Sequence, residues 1–367
     1  MTVVGVIGGG QLARMMIGPA IELGIELRVL AESADSSARD RATMVGDYRD
    51  VDTVLAFANG VDVITFDHEH VPATVLSALE SRGVAVRPGP AALAAAQDKL
   101  HMRRVLDDLG LPLPVWAEAN SADDVTAFLA ANGGRVVAKT PRGGYDGKGV
   151  AVINDAAEIA EWLANGPVLL EELVDYSREL AQLVARRPSG DIVTWPVVET
   201  TQSGGVCAEV ILPAPKASDK LVEVAAQIGR TVADGLGVTG VLAIEMFETT
   251  DQRILINELA MRPHNSGHVT MEGSVTGQFE QHLRAVTDMP LGSTESRHDW
   301  AAMVNVFGSM STDRYSLLGG HDAVKIHNYG KDARAGRKVG HVTVTGDDLD
   351  EVVYQARAAA AIFDAAN

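Results

Sequence analysis

Lys139 closes the apolar run Val136-Val137-Ala138, and three residues later the chain reads Arg142-Gly143-Gly144-Tyr145-Asp146-Gly147-Lys148-Gly149. A strand that delivers an ammonium group and then opens into glycines suits a polyphosphate. Bare backbone N–H groups can approach it closely while lysines neutralise it. Downstream, Glu245 sits within Val241 to Phe247, and Glu258 follows Ile254-Leu255-Ile256-Asn257. An unpaired carboxylate among apolar strand neighbours is costly, so each needs a cation or donors. Two on successive strands point to a hard ion such as Mg²⁺ bridging phosphates; the structural alternative is pairing with Arg253 or Arg262. Lysine, glycine loop and paired acids together specify ATP chemistry.

Five further stretches carry candidate side chains. Arg262-Pro263-His264-Asn265-Ser266-Gly267-His268, and the tail residues Lys331, Arg334, Arg337 and Lys338, concentrate cations in an acidic chain. Guanidinium and ammonium groups there fit anion binding, with a solvated basic turn as the plain alternative for the tail. Asp67-His68-Glu69-His70 follows a strand, where open α/β sheets place ligands. His68 and His70 could in principle chelate zinc but lack an identifiable third ligand, and Glu69 fits better as an acceptor for a substrate hydroxyl. Gly8-Gly9-Gly10-Gln11-Leu12-Ala13 matches G-x-G-x-x-A, with Glu32 near the place of a ribose-binding acid. That allows a dinucleotide site. The favoured reading is a turn presenting Gln11 and a helix N-terminus to a phosphorylated substrate. Leu169-Leu170-Glu171-Glu172-Leu173-Val174 reads as a strand running into a hinge.

The elements that must hold these groups alternate strand and helix at first: Val3 to Ile7, Gln11 to Leu23, Leu27 to Leu30, Val61 to Phe66 and Pro72 to Ser81. A helix from Ala91 to Leu109 ends at Gly110. Ser121 with Asp124, and Asn154, read as N-caps; the first helix runs to Ala131 and the second closes at Gly166. His321 to Asn328 and Gly340 to Thr345 alternate as hairpin strands before a closing helix, Asp347 to Asp364. The 367 residues, 46% of them hydrophobic, imply two or three domains. A net charge of −18 argues against a nucleic-acid partner. Short apolar stretches and the single Cys207 predict an untargeted, membrane-free protein of the reducing cytoplasm.

In these motifs, spread in order along nearly the whole chain, the sequence resembles the 5-(carboxyamino)imidazole ribonucleotide synthetase family of ATP-grasp enzymes. The resemblance implies an α/β chain with a parallel N-terminal domain (1–95), an ATP-grasp body (96–292) with a lid at about 115–173, and a small β-rich C-terminal domain (293–367). It implies ATP- and bicarbonate-dependent carboxylation of 5-aminoimidazole ribonucleotide through carboxyphosphate in purine biosynthesis, by a homodimer. It places Lys99 and Lys139 on the phosphates, Gly144 to Val150 (Tyr145, Asp146, Gly147, Lys148 and Gly149 between them) over ATP, and Glu171, Glu172, Leu173, Val174 and Glu179 around adenine and ribose. Glu245 and Glu258, next to Asn257, would hold Mg²⁺ or Mn²⁺. Gln11, Leu12, Glu69, Lys331, Arg337 and Lys338 would meet the ribonucleotide, with Tyr145, Asp146, Arg262, His264 and Lys338 catalytic. Lys99 departs from relatives that carry arginine there and so lacks the planar fork. Glu199, Thr201 and Gln202 lie where a further nucleotide contact is expected. A formate-dependent glycinamide ribonucleotide transformylase-like ligase is the rival with the same ATP machinery.

Overall fold

The structure, a computed structural model, describes residues 1–144 and 149–364. Val3–Ile7 lies at the centre of a five-stranded parallel sheet, between Glu26–Ala31 and Val63–Phe66. Strands covered on both faces need unbroken apolar runs, and every residue of Val63–Phe66 is buried. Helix Gln11–Glu22 begins just past the glycine turn. Gly8 takes φ +104°, and a Cβ there would stand 2.8 Å from His68, so only glycine serves.

Where the sequence predicts one helix from Ala91 to Leu109, two form, Pro90–Gln97 and Lys99–Asp108, separated by an extended Asp98. The Asp98 carboxylate accepts the His101 N–H, so a residue inside an apparently continuous pattern caps a new helix and sets Lys99 at its first position. Ser121 caps Ala122–Ala131 as its spacing with Asp124 implies. The next cap shifts by one residue. Asp155, not Asn154, accepts the Ala157 N–H, while Glu158 reaches back to the Asp155 N–H.

Trp116–Ala119, Val168–Glu172, Val136–Lys139 and Val150–Ile153 pair in that order as a small antiparallel sheet. Val125 and Leu129 of the Ala122–Ala131 helix pack against its buried Val136, Ala138 and Leu170. Among the described residues a nine-stranded sheet forms the body. Ile254–Ala260 lies at one end of it, beside Gly240–Thr249. The expected tail hairpin is present as Lys325–Asn328 and Arg334–Gly346, and it continues this sheet through Trp300–Gly308 instead of building a sheet of its own. Helix Leu349–Asp364 covers one face with Val352, Ala356, Ala359 and Phe363. Among the described residues no helix is long and apolar enough to cross a membrane.

His282 ties the parallel sheet to the body. Its Nδ1 accepts the Val241 N–H at 3.0 Å, so Nε2 carries the proton and donates to Thr65 Oγ1 at 2.8 Å. Burial pushes its pKa from 6.5 down to about 3. The folded state thus holds the ring neutral. Its contribution is complete above pH 6.5 and is lost as pH falls towards 3, at about 1.4 kcal/mol per pH unit. Thermal unfolding followed by circular dichroism should show Tm falling below pH 6.5. His282→Gln, which takes up no proton, should flatten that slope, and an unchanged slope refutes the assignment.

Candidate active site

Glu245 and Glu258 are direct register partners across adjacent antiparallel strands, so their carboxylates share one face. They form the floor of a cleft of about 1030 Å³ between the body and the small sheet. Burial first, and the charge of Glu258 second, push the Glu245 carboxyl up to about 7. Two crowded hard-oxygen donors make a seat for a cation. The competing arginine pairings are absent: Arg253 binds Asp251 at 2.8 Å, and Arg262 lies 3.4 Å from Glu69. Glu258 instead meets Lys99 at 2.7 Å.

Lys139, at the end of Val136–Lys139, reaches Asn257 Oδ1 at 3.0 Å and Glu171 at 2.6 Å. The other side of Glu171 is gripped by Arg103, which also donates to the Asn257 carbonyl at 2.7 Å. Burial alone raises the Glu171 carboxyl, but the charges of Lys139 and Arg103 outweigh it and hold it below the usual range. The sequence reading missed Arg103. Its signal was the four-residue spacing from Lys99, which puts both cations on one helix face.

Gly144 and Val150 line the cleft, as do Glu172, Leu173, Val174 and Glu179. Tyr176 stacks on Phe247 at 4.6 Å beside them, a flat wall suited to a purine that no motif announced. Gln202 lines the cleft and hydrogen-bonds Glu179, whose carboxyl burial raises. Glu199 is taken up by Arg178 at 2.9 Å and Thr201 does not line the cleft, so of the three Gln202 remains for a nucleotide.

Arg262, His264 and Lys338 also line the cleft. His264 Nδ1 faces the Ser266 N–H at 3.4 Å and its hydroxyl at 2.9 Å, which leaves an Nε2–H directed at Glu245, 3.7 Å away. Burial, then Arg262 and Lys338, bring its pKa down to about 3, so it is a neutral donor. Glu69 accepts the Met261 N–H and stands beside Arg262, so the expected contact with a substrate hydroxyl would have to share a carboxylate already engaged in placing Arg262.

Gln11 and Lys331 come together behind these groups, with Lys331 Nζ donating to Gln11 Oε1 at 2.6 Å. Leu12 is core, 4% exposed, so its side chain is withdrawn from any substrate. Arg337 donates to the Asp332 carbonyl at 3.3 Å and does not reach the cleft lining. Tyr145, Asp146, Gly147 and Lys148 lie outside the described residues.

The N-terminal turn departs from expectation. Gly9 N–H donates to Glu32 at 3.0 Å and Ala13 N–H to Asp67 at 2.8 Å, so the chain's own carboxylates occupy the place a phosphate would take. A Cβ on Gly10 would lie 2.0 Å from Asp67, so that glycine exists to let Asp67 close in. His68 spends Nε2 on Glu32 at 3.2 Å and Nδ1 on the His70 N–H at 3.3 Å, which removes it as a zinc ligand. The hydrogen bond from His68 is the largest influence holding Glu32 down, at about 2.

Three families match the chain in order: the ribonucleotide synthetase preATP-grasp domain over residues 1–97, the ATP-grasp domain over 104–279, and the phosphoribosylaminoimidazole carboxylase C-terminal domain over 301–355. The N5-carboxyaminoimidazole ribonucleotide synthase of Corynebacterium ammoniagenes is 47% identical over 98% of this chain and 91% of its own. The solved N5-carboxyaminoimidazole ribonucleotide synthetase of Thermus thermophilus superposes with a TM-score of 0.91 at 34% identity, covering 98% of each chain. The N5-carboxyaminoimidazole synthase of Aspergillus clavatus, solved with ADP and 5-aminoimidazole ribonucleotide, superposes with a TM-score of 0.89 at 30% identity, over 99% of this chain and 98% of its own.

Proposed function

The chain belongs to the N5-carboxyaminoimidazole ribonucleotide synthase family of ATP-grasp enzymes, and on that footing we propose how its cleft carries out ATP-dependent carboxylation of 5-aminoimidazole ribonucleotide in purine biosynthesis. The observation that carries this reading is the opposition of Glu245 and Glu258 on the floor of the cleft that Lys99, Lys139 and His264 also enter. The carboxylates suit Mg²⁺ or Mn²⁺, which when bound would spread the charge of the transferring phosphoryl group. Lys99 and Lys139 exchange their present carboxylate partners for ATP phosphates. The strand end from Glu171 to Val174 takes adenine, and Glu179 with Gln202 the ribose side.

Bicarbonate is a poor electrophile until one oxygen is phosphorylated, and carboxyphosphate hydrolyses readily in water. The loop from Gly144 to Val150 therefore has to exclude solvent as well as hold phosphate. The amine nitrogen forms a C–N bond as the C–O bond to phosphate breaks, and the amine proton leaves with the phosphate. Arg262, Lys338 and the His264 Nε2–H are donors for the oxygens that gain charge. Gln11, Lys331, Arg337 and Lys338 meet the ribonucleotide, and Asp146 with Tyr145, by family resemblance, orients the amine. Bicarbonate-dependent ADP release in the presence of aminoimidazole ribonucleotide tests the reaction. Release that formate supports and bicarbonate does not would favour the glycinamide ribonucleotide ligase instead.

Lys338→Ala should lower kcat/KM for the ribonucleotide about 100-fold, the loss of one hydrogen bond to a charged group at about 1.5–3 kcal/mol. Arg337→Ala should cost less, because its guanidinium has to swing in from the Asp332 carbonyl. Unchanged ribonucleotide kinetics in both variants refute that part of the assignment. The same footing implies a cytoplasmic homodimer, which sedimentation analysis checks.

A further inference from the structure

His268 is fully buried, and its neighbours determine where its proton sits. Gln278 takes the His264 N–H on its Oε1 at 2.9 Å and donates Nε2 to the His264 carbonyl at 2.8 Å, so the Gln278 amide has one orientation. The same amide nitrogen lies 2.7 Å from His268 Nδ1. Nδ1 must therefore accept, and the neutral ring carries its hydrogen on Nε2. The ring is also held in place by stacking on His341 at 5.1 Å and packing on Phe279 at 5.5 Å.

That Nε2–H points at the Gln11 carboxamide, whose Nε2 stands 3.4 Å away, while Gln11 Oε1 accepts from Lys331. Two donors thus face each other, and the oxygen that could serve His268 is turned to the lysine. In a buried setting such an unmet donor is costly. Half a turn about the last side-chain bond of Gln11 relieves it. Oε1 then meets His268, and the NH₂ group turns towards the lysine side. Beside the ammonium alone that orientation is unfavourable. An oxyanion bound between them reverses the preference, since it accepts from both.

We propose that His268 is a positioning residue, whose Nε2–H holds the Gln11 carboxamide in the substrate-bound enzyme with its NH₂ group presented as a donor to the phosphorylated substrate. This rests on the reading of Gln11 and Lys331 as ribonucleotide contacts. The anion selects the NH₂ group over the oxygen, and the fixed imidazole N–H on the other side of the amide favours the same orientation, so less of the binding is spent on ordering Gln11.

Steady-state kinetics on the full chain test it by a double-mutant cycle. His268→Phe and Gln11→Ala should each raise the KM for aminoimidazole ribonucleotide about tenfold, with the KM for ATP within about twofold. The double variant should be no worse than Gln11→Ala alone. Additive losses, or a matching rise in the KM for ATP, overturn the proposal. Gln11→Glu needs no change at His268: its carboxylate accepts from the His268 Nε2–H and from Lys331 together. It should raise Tm by a few degrees while raising the ribonucleotide KM at least about tenfold; a fall in Tm overturns the proton assignment. Ring ¹⁵N spectra should show an unprotonated Nδ1 and a protonated Nε2, and the opposite pattern also overturns it. If the parent enzyme shows no ribonucleotide-dependent turnover, the functional reading fails, while the Gln11→Glu melting shift and the ring spectrum still decide the His268 assignment.

Discussion

Glu258→Gln should lower kcat about 1000-fold or more and leave the fold intact. The substitution keeps the shape of a side chain in the strand Ile254–Ala260 but removes the charge that Lys99 meets at 2.7 Å and that crowds Glu245. If the two acids form one divalent-cation seat, the neutral amide deletes half of it, and loss of several kcal/mol of charge stabilisation at the transferring phosphoryl group corresponds to about three decades in rate. The same change should let the Glu245 carboxyl fall back from about 7, because Glu258 is the first charge pushing it up after burial. Mn²⁺ binding in the presence of a nucleotide, followed by electron paramagnetic resonance, should weaken in parallel with kcat. A variant that turns over within tenfold of the parent would falsify the shared seat.

The pairing of these two acids is legible in the sequence because strands leave a strong signature. Val241 to Phe247 and Ile254 to Ile256 are apolar enough that a carboxylate among them demands a reason, and the register then makes Glu245 and Glu258 neighbours. Lys139 is legible for the same reason. Groups whose meaning depends on tertiary partners are not. Glu32 and Asp67 look like loop acids until the turn folds and places them on the Gly9 and Ala13 N–H groups, so those two backbone donors are already taken and Gln11 is the part of the turn left to meet a substrate. Asp98 is invisible as a helix break because its Ala- and Leu-rich surroundings carry no proline or glycine, and only the backbone shows the cap. Leu12 follows Gln11 in the motif, yet consecutive helix positions point about 100° apart, so one meets Lys331 and the other the core. The Tyr176–Phe247 wall spans two paired antiparallel strands far apart in sequence, and no local pattern encodes that pairing.

Arg103→Met should be the most destabilising single change near the nucleotide site. Arg103 is fully buried and joins three elements: its own helix Lys99–Asp108, Glu171 at the end of Val168–Glu172, and the Asn257 carbonyl in Ile254–Ala260. Methionine fills much of the volume, so cavity formation contributes little. What remains is a Glu171 carboxylate, 3% exposed, with only Lys139 to balance the burial that pushes it towards protonation. Breaking a buried ion pair from one side costs about 3–5 kcal/mol, because a charge is left behind without its partner. Activity should change in a specific direction as well. Lys139 becomes the sole counter-charge of Glu171 and is drawn from the phosphates, so the KM for ATP should rise about tenfold, as expected for one charged hydrogen bond, while the ribonucleotide KM holds. Adding Glu171→Gln should recover a large part of the lost stability, since the uncompensated charge disappears, and should bring the KM for ATP back down, since Lys139 is released to the phosphates. Urea unfolding of the single and double variants measures the first effect and steady-state kinetics the second. A single variant as stable as the parent, or a double variant less stable than the single, would show that Glu171 does not depend on Arg103 for its charge.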